Sequence, residues 1–172
     1  MLRDIRPDFY VPSIYSIDFS KLKKIGIKSL IVDIDNTLMY WGAKNPDERA
    51  KELLNYLVNE GFKVCLLSNS SKRRITRFKG NIDIEYYSAL GIKPMKKMFE
   101  GALKILNSKP TETCCIGDQI YTDVLGAKRC GIITILVDPT EKKEFITTKL
   151  IRQFEGKIRN SLNYSKEIMK DE

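Results

Sequence analysis

The sequence predicts an α/β protein, a three-layer sandwich on a five-stranded parallel sheet. Short apolar runs alternate with stretches of helical length, the pattern of right-handed βαβ units. The runs are apolar throughout, as in sheets covered by helices on both faces. Runs one, two and four also end in polar residues, at the carboxyl edge where such sheets bind ligands.

Each element has its own signals. Residues 29–34, SLIVDI, read as the first strand, apolar and β-branched before a polar loop. Residues 46–60 read as a helix: Pro46 suits its first turn, Asp47 and Glu48 favour its positive end, and Gly61 stops it. Residues 63–67, KVCLL, form a second strand ending at Ser68, residues 71–79 a basic helix, and residues 83–87, DIEYY, a third strand. Residues 95–107 form a helix that turns Met98, Ala102, Ile105 and Leu106 inward. Residues 113–116 form the fourth strand, running into Gly117. A helix near 121–130 stops at Gly131, and residues 132–137, IITILV, are the fifth strand. A last helix is expected over 143–160. With no repeat or low-complexity linker, residues 1–172 read as a single domain with a helical C-terminal segment at about 143–172. The amphiphilic start, with Phe9, Tyr10, Val11, Ile14, Tyr15 and Ile17, packs on the body or touches lipid.

Composition narrows the chemistry. The chain has no histidine, which excludes histidine triads, bases and metal ligands. Cys65, Cys114, Cys115 and Cys130 form no CxxC pair and read as small buried hydrophobes of a reducing compartment. No apolar run reaches the roughly 18 residues that span a bilayer, and the start lacks a signal-peptide core. The expectation is a cytoplasmic protein, peripheral at most on the inner face of the membrane. The formal charge of +8 is localised: residues 63–109 hold 11 basic and 3 acidic side chains, whereas residues 1–62 (9 and 9) and 110–172 (10 and 10) are neutral. Lys72, Arg73, Arg74, Arg77, Lys79, Lys93, Lys96 and Lys97 form a solvated face or an anion-binding surface for phosphate, nucleic acid or anionic lipid.

Carboxylates gather where the topology places a site. Asp33 and Asp35 close the first strand, and Asp118 and Asp123 follow the fourth. Taken singly, each fits a polar turn. Together at one sheet edge they repel one another, and Mg²⁺ is the usual remedy. Such a site suits phosphoryl transfer: a carboxylate attacks phosphorus, metal and lysine offset the charge, and a second carboxylate handles protons. Alone, Ser68 reads as a turn residue or N-cap and Lys93 as a solvated lysine, so the combination carries the reading.

The ordered set DIDNT, LLSN, KP and GDQIYTD resembles the four motifs of the haloacid dehalogenase (HAD) superfamily. PDFYVPSIYSID, DIDNTLMYWGA, LLSNS, KPMKKMFEGAL and GDQIYTDVLGAKRCGIITILVDP further resemble the YqeG family of subfamily IIIA phosphatases, over roughly residues 5–155. That family is similar to phosphatidylglycerophosphate phosphatases. The resemblance implies a HAD-like Rossmannoid fold and a Mg²⁺ cofactor. It implies Asp33 as nucleophile, Asp35 as general acid and base with its backbone carbonyl on the metal, and Asp118 and Asp123 as metal ligands, the latter directly or through water. By the same resemblance Ser68 and the backbone near Asn69 bind the phosphoryl group, Lys93 bridges nucleophile and phosphate, and Asn36 and Thr37 shape the loop. The stretch before Lys93, SALGI, is less polar than is common in the family, which leaves Lys96 and Lys97 as rivals.

Between Asp35 and Ser68 lie 32 residues, and between Ser68 and Lys93 lie 24. Predicted helices and strands fill both gaps, so no cap domain is expected and the site is open. An open site suits a large or membrane-borne phosphate ester, by resemblance phosphatidylglycerophosphate, and a role in phospholipid biosynthesis. Lys72, Arg73 and Lys96 are the expected substrate-binding rim, and Trp41 lies beside the entrance or in the core. A phosphatase of nucleic-acid ends or phosphoproteins is the alternative enzyme, and an RNA- or protein-binding scaffold the non-catalytic one.

Overall fold

The computed structural model describes residues 5–88, 91–140 and 155–171. Its strands are β1 (Phe9–Val11), β2 (Ser29–Val32), β3 (Lys63–Leu66), β4 (Glu85–Tyr86), β5 (Thr113–Gly117) and β6 (Ile133–Val137). They form one wholly parallel sheet in the order β1-β6-β5-β2-β3-β4. The helices are α1 (Phe19–Lys24), α2 (Glu48–Asn59), α3 (Lys72–Lys79), α4 (Lys96–Leu106) and α5 (Leu125–Lys128).

The sheet has six strands where the sequence led us to expect five. The added one, β1, is a three-residue edge strand in the segment read as merely amphiphilic. Three residues show no usable period, so tertiary partners define it. Asp8 accepts from the Thr134 backbone N–H (2.8 Å) and hydroxyl (2.7 Å), fixing β1 beside β6. On the other side, Ser165 N–H donates to the Tyr10 carbonyl (2.7 Å) and Ser165 Oγ accepts from Tyr10 N–H (3.0 Å), which covers an edge that would otherwise invite pairing. Val11, Ile14 and Ile17 are fully buried, so these apolar residues pack on the body.

Strand alternation sorts the core into two layers. From β2, Leu30 and Val32 face α2 and α3, whose Leu54, Leu57, Ile75 and Phe78 share their cluster. Ile31, with Cys65 and Cys115, faces Met98, Phe99, Ala102 and Leu106 of α4 and Ala127 of α5. Ile105 was expected inward but is 40% exposed. At 3.6 residues per turn, Met98, Phe99, Ala102 and Leu106 complete one stripe and leave Ile105 at its margin. The C-terminal helix expected over 143–160 falls mainly outside the described residues, of which 155–159 are helical.

Helices α4 and α5 meet at Gly126, where an added Cβ would lie 2.2 Å from the Phe99 ring. Gly126→Ala should therefore destabilise the fold by about 1–3 kcal/mol through overpacking. A lowered urea midpoint with an unchanged slope checks this.

Candidate active site

The register brings the candidate residues together. Strand β2 lies between β3 and β5, and the three end nearly level: Asp33 N–H donates to the Ile116 carbonyl, and Leu67 N–H to the Val32 carbonyl, each at 3.0 Å. Asp33 therefore emerges between Ser68 and Asp118. Beyond β5 the chain makes a single wide π-helical turn, Ile120–Val124, instead of running straight into the expected helix. That turn carries Asp123 back over the strand end, where Gln119 N–H donates to it (3.1 Å). Gly117 makes the approach possible, since a Cβ there would lie 2.3 Å from the Asp123 carboxyl carbon.

Lys93 supplies the charge at the centre. Its Nζ donates to Asp33 Oδ1 (2.5 Å) and Asp123 Oδ1 (2.6 Å), and all three side chains are buried. Lys96 and Lys97, the rival lysines, are both exposed. Asn69 holds Lys93 by its backbone: Asn69 Oδ1 accepts from Lys93 N–H (2.7 Å), and Nδ2 donates to its carbonyl (3.4 Å). The Asn69 side chain is thus engaged with the lysine, and the residue, whose backbone was expected near the phosphoryl group, lines the cleft.

One oxygen from each of Asp33, Asp118 and Asp123 lies within 4.8 Å of the others, all three residues buried. Among the described residues, Lys93 is the ammonium paired with this trio, through Asp33 and Asp123. Burial raises the Asp33 pKa well above the ordinary carboxylate value; Lys93 opposes this and the charges of Asp123 and Asp118 add to it. Burial alone would lower Lys93, but Asp123 and Asp33 outweigh it and keep the ammonium charged. The cluster gathers three buried carboxylates and offers only hard oxygen donors. That donor set fits Mg²⁺.

Asp35 belongs to the expected carboxylate set, but its side chain lies apart from this trio. Arg74 grips it with both nitrogens (2.5 and 2.7 Å) and also donates to the Ala43 carbonyl (3.0 Å). Ser70 Oγ (3.0 Å) and Gly42 N–H (3.3 Å) donate to the same carboxylate. The turn that allows this runs through Asn36 at φ 60°, a left-handed conformation that asparagine tolerates. Ser68, read alone as a turn residue or N-cap, is buried and accepts from Ser70 N–H (3.1 Å); the cap of α3 is Ser71.

These groups line a cleft of about 770 Å³ that includes Asp33, Asp35, Ser68, Lys93 and Asp123. Its mouth is apolar: Trp41, Ile92, Met95 and Tyr121 line it and are 44–61% exposed. Of the expected basic rim, Lys72, Arg73 and Lys96 are exposed and none lines this cleft, which has Arg129 instead. Sequence reasoning missed two arginines. Arg74 was legible only as part of a charge run. Arg159, from the helical turn at 155–159, donates to the Asp118 carbonyl (2.6 Å) and Asp138 (3.0 Å), pinning the end of β5 to that of β6.

Comparison with known proteins adds to this geometry. A family model described as haloacid dehalogenase-like hydrolase matches residues 18–131. The chain is 38% identical to the probable phosphatase YqeG of Bacillus subtilis, over 91% of this chain and 90% of that one. It is 28% identical to the chloroplastic phosphatidylglycerophosphate phosphatase 1 of Chlamydomonas reinhardtii, over 77% of this chain and 52% of the relative. In fold it is similar to a putative β-phosphoglucomutase from Thermotoga maritima: TM-score 0.54, 13% identity, 79% of this chain and 100% of that one.

Proposed function

The chain belongs to the haloacid dehalogenase-like hydrolases, as a phosphatase of the YqeG family, and from that premise we propose a Mg²⁺-dependent enzyme that hydrolyses a membrane-borne phosphate ester through an aspartyl-phosphate. Phosphatidylglycerophosphate is the substrate we infer. The observation that carries the mechanism is the buried trio of Asp33, Asp118 and Asp123 with the Lys93 ammonium on two of them.

Asp118, Asp123 and Asp33, with the Asp35 backbone carbonyl, would hold the ion, which when bound offsets the charge of the phosphoryl oxygens. Ser68 and the adjacent backbone bind the phosphoryl group. An Asp33 carboxylate oxygen attacks phosphorus, the bond to the ester oxygen breaks, and Asp35 gives that oxygen its proton. Asp35 then takes a proton from water, whose oxygen attacks phosphorus, releasing phosphate and restoring Asp33. Lys93, charged throughout, lowers the repulsion between nucleophile and phosphate.

The lipid assignment rests on the mouth of the cleft. Ringing a polar site with Trp41, Ile92, Met95 and Tyr121 gives solvent an apolar collar, which suits a substrate that lies in an interface. Single helices, α2 and α3, connect β2 to β3 and β3 to β4, and our reading is of a site without a cap domain. Among the described residues no helix is long and apolar enough to cross a membrane, so contact with the bilayer would be peripheral. The similarity to phosphatidylglycerophosphate phosphatase supports the same choice.

The test is phosphate release with Mg²⁺ and with EDTA, from p-nitrophenyl phosphate, from phosphatidylglycerophosphate in micelles and from a 3′-phosphorylated oligonucleotide. We expect release to stop in EDTA and return with excess Mg²⁺, and the lipid to be preferred. Undiminished release in EDTA would defeat the metal assignment, and preference for the oligonucleotide the lipid one.

A further inference from the structure

Beside the catalytic cleft lies a second cavity, of about 350 Å³, lined by Gly42, Lys44, Ser71, Arg73, Arg74 and Arg77. Four of its six lining residues are cationic and none is acidic. Among the described residues, Lys44, Arg73 and Arg77 form no ion pair, so three cations face one small space uncompensated. All three are exposed, and like charges that line one space repel, a repulsion that a bound anion lowers. The cavity also lies in the charge-imbalanced stretch: Arg73, Arg74 and Arg77 come from the region that holds the whole net charge of +8.

Its position relates it to the reaction. Consecutive residues form the partition between the two spaces: Trp41 and Ser70 line the cleft, and Gly42 and Ser71 line the cavity. Asp35 stands on the cleft side and Arg74 on the cavity side, and their bidentate ion pair crosses the partition. An anion in the cavity would therefore lie within one side-chain pair of the acid–base residue. That places it well for another group of the substrate molecule.

We propose that this cavity binds a second, non-scissile phosphate of the substrate, a phosphodiester separated by a short polyol from the monoester that is cleaved. The proposal deepens the lipid-phosphatase reading and rests on it. Phosphatidylglycerophosphate has that construction: one glycerol separates its terminal monoester from the diester that leads to the acyl chains. Guanidinium groups suit the diester, because their paired N–H donors match two phosphate oxygens.

The test uses soluble compounds, so that no interface intervenes. Wild type and the double variant Lys44→Gln/Arg77→Gln are compared on dihexanoyl phosphatidylglycerophosphate, which carries both phosphates, and on glycerol 3-phosphate, which carries only the monoester. We expect wild type to prefer the first, and the variant to lose about tenfold or more of that preference in kcat/KM, mainly through KM. A 3′-phosphorylated dinucleotide forms a third arm. Direct titration of both proteins with glycerophosphoglycerol, the diester alone, followed by NMR, reads the site without catalysis. Weaker diester binding by the variant supports the site even if no substrate is turned over, in which case the phosphatase reading fails separately. Equal diester binding by the two proteins, an unchanged substrate preference, or a loss confined to the dinucleotide would overturn the proposal.

Discussion

Asp33→Asn is expected to abolish phosphate release, by at least about three orders of magnitude, while leaving a folded protein that melts at a higher temperature than wild type when metal is absent. The two effects have one cause. Asp33 lines the cleft and pairs directly with Lys93 at the end of the central strand β2, and in the proposed mechanism the amide removes the nucleophile. The same carboxylate is a burden on the metal-free fold, since burial and the charges of Asp123 and Asp118 raise its pKa despite Lys93. Below the ordinary carboxylate value of 3.8 the group is protonated folded or unfolded, and the burden vanishes. As pH rises from there towards the elevated folded value, the unfolded chain gives up its proton first, and the fold is progressively disfavoured. The near-isosteric amide removes that pH-dependent loss and leaves Lys93 paired with Asp123 at 2.6 Å. Melting curves at pH 8 in EDTA, beside release assays in Mg²⁺, check both halves. A variant that turns over phosphate esters at the wild-type rate would sink the nucleophile assignment. Loss of activity together with lost stability would make Asp33 a structural residue.

How much of this was legible in the sequence depended on whether topology or loop conformation places a residue. Asp33, Ser68 and Asp118 end parallel strands that are neighbours in the sheet, so alternation of strands and helices was enough to bring them together. Asp123 follows Asp118 by a single wide turn, and its approach is recorded locally in Gly117, the residue without a side chain to obstruct it. The partner of Asp35 was not legible. Its pairing with Arg74 joins a turn after β2 to the face of α3, and depends on the left-handed backbone at Asn36. A charge count sees Arg74 only as one of many cations. The resemblance placed the backbone near Asn69 at the substrate; the match of its side-chain amide to both backbone groups of Lys93 is visible only in three dimensions. Strand β1 escaped for a related reason: the bonds that define it come from Asp8, Thr134 and Ser165, far apart in the chain.

Lys93→Met should damage both stability and catalysis. The lysine is fully enclosed and holds two carboxylates at 2.5 and 2.6 Å, with Asp118 close by. Methionine nearly matches its length, so packing is preserved and the lost charge dominates. Breaking a buried ion pair from one side costs about 3–5 kcal/mol, because the abandoned charge stays buried without compensation. Here two carboxylates lose their ammonium together, and the expected loss at pH 8 lies at the upper end of that range. Phosphate release should fall with it, since the ammonium that lowers the repulsion between nucleophile and phosphate is gone. The same lost charge predicts a diagnostic rescue. With Lys93 gone the trio is more negative, so Mg²⁺ should raise the melting temperature of the variant by more than that of wild type. Calorimetric scans with and without Mg²⁺, on wild type and variant, read that difference directly. An equal Mg²⁺ shift in the two proteins would mean that the ion does not bind among Asp33, Asp118 and Asp123. A larger shift without restored activity would separate the two roles of the lysine: Mg²⁺ can replace its charge in holding the fold but not its ammonium beside the reacting phosphate.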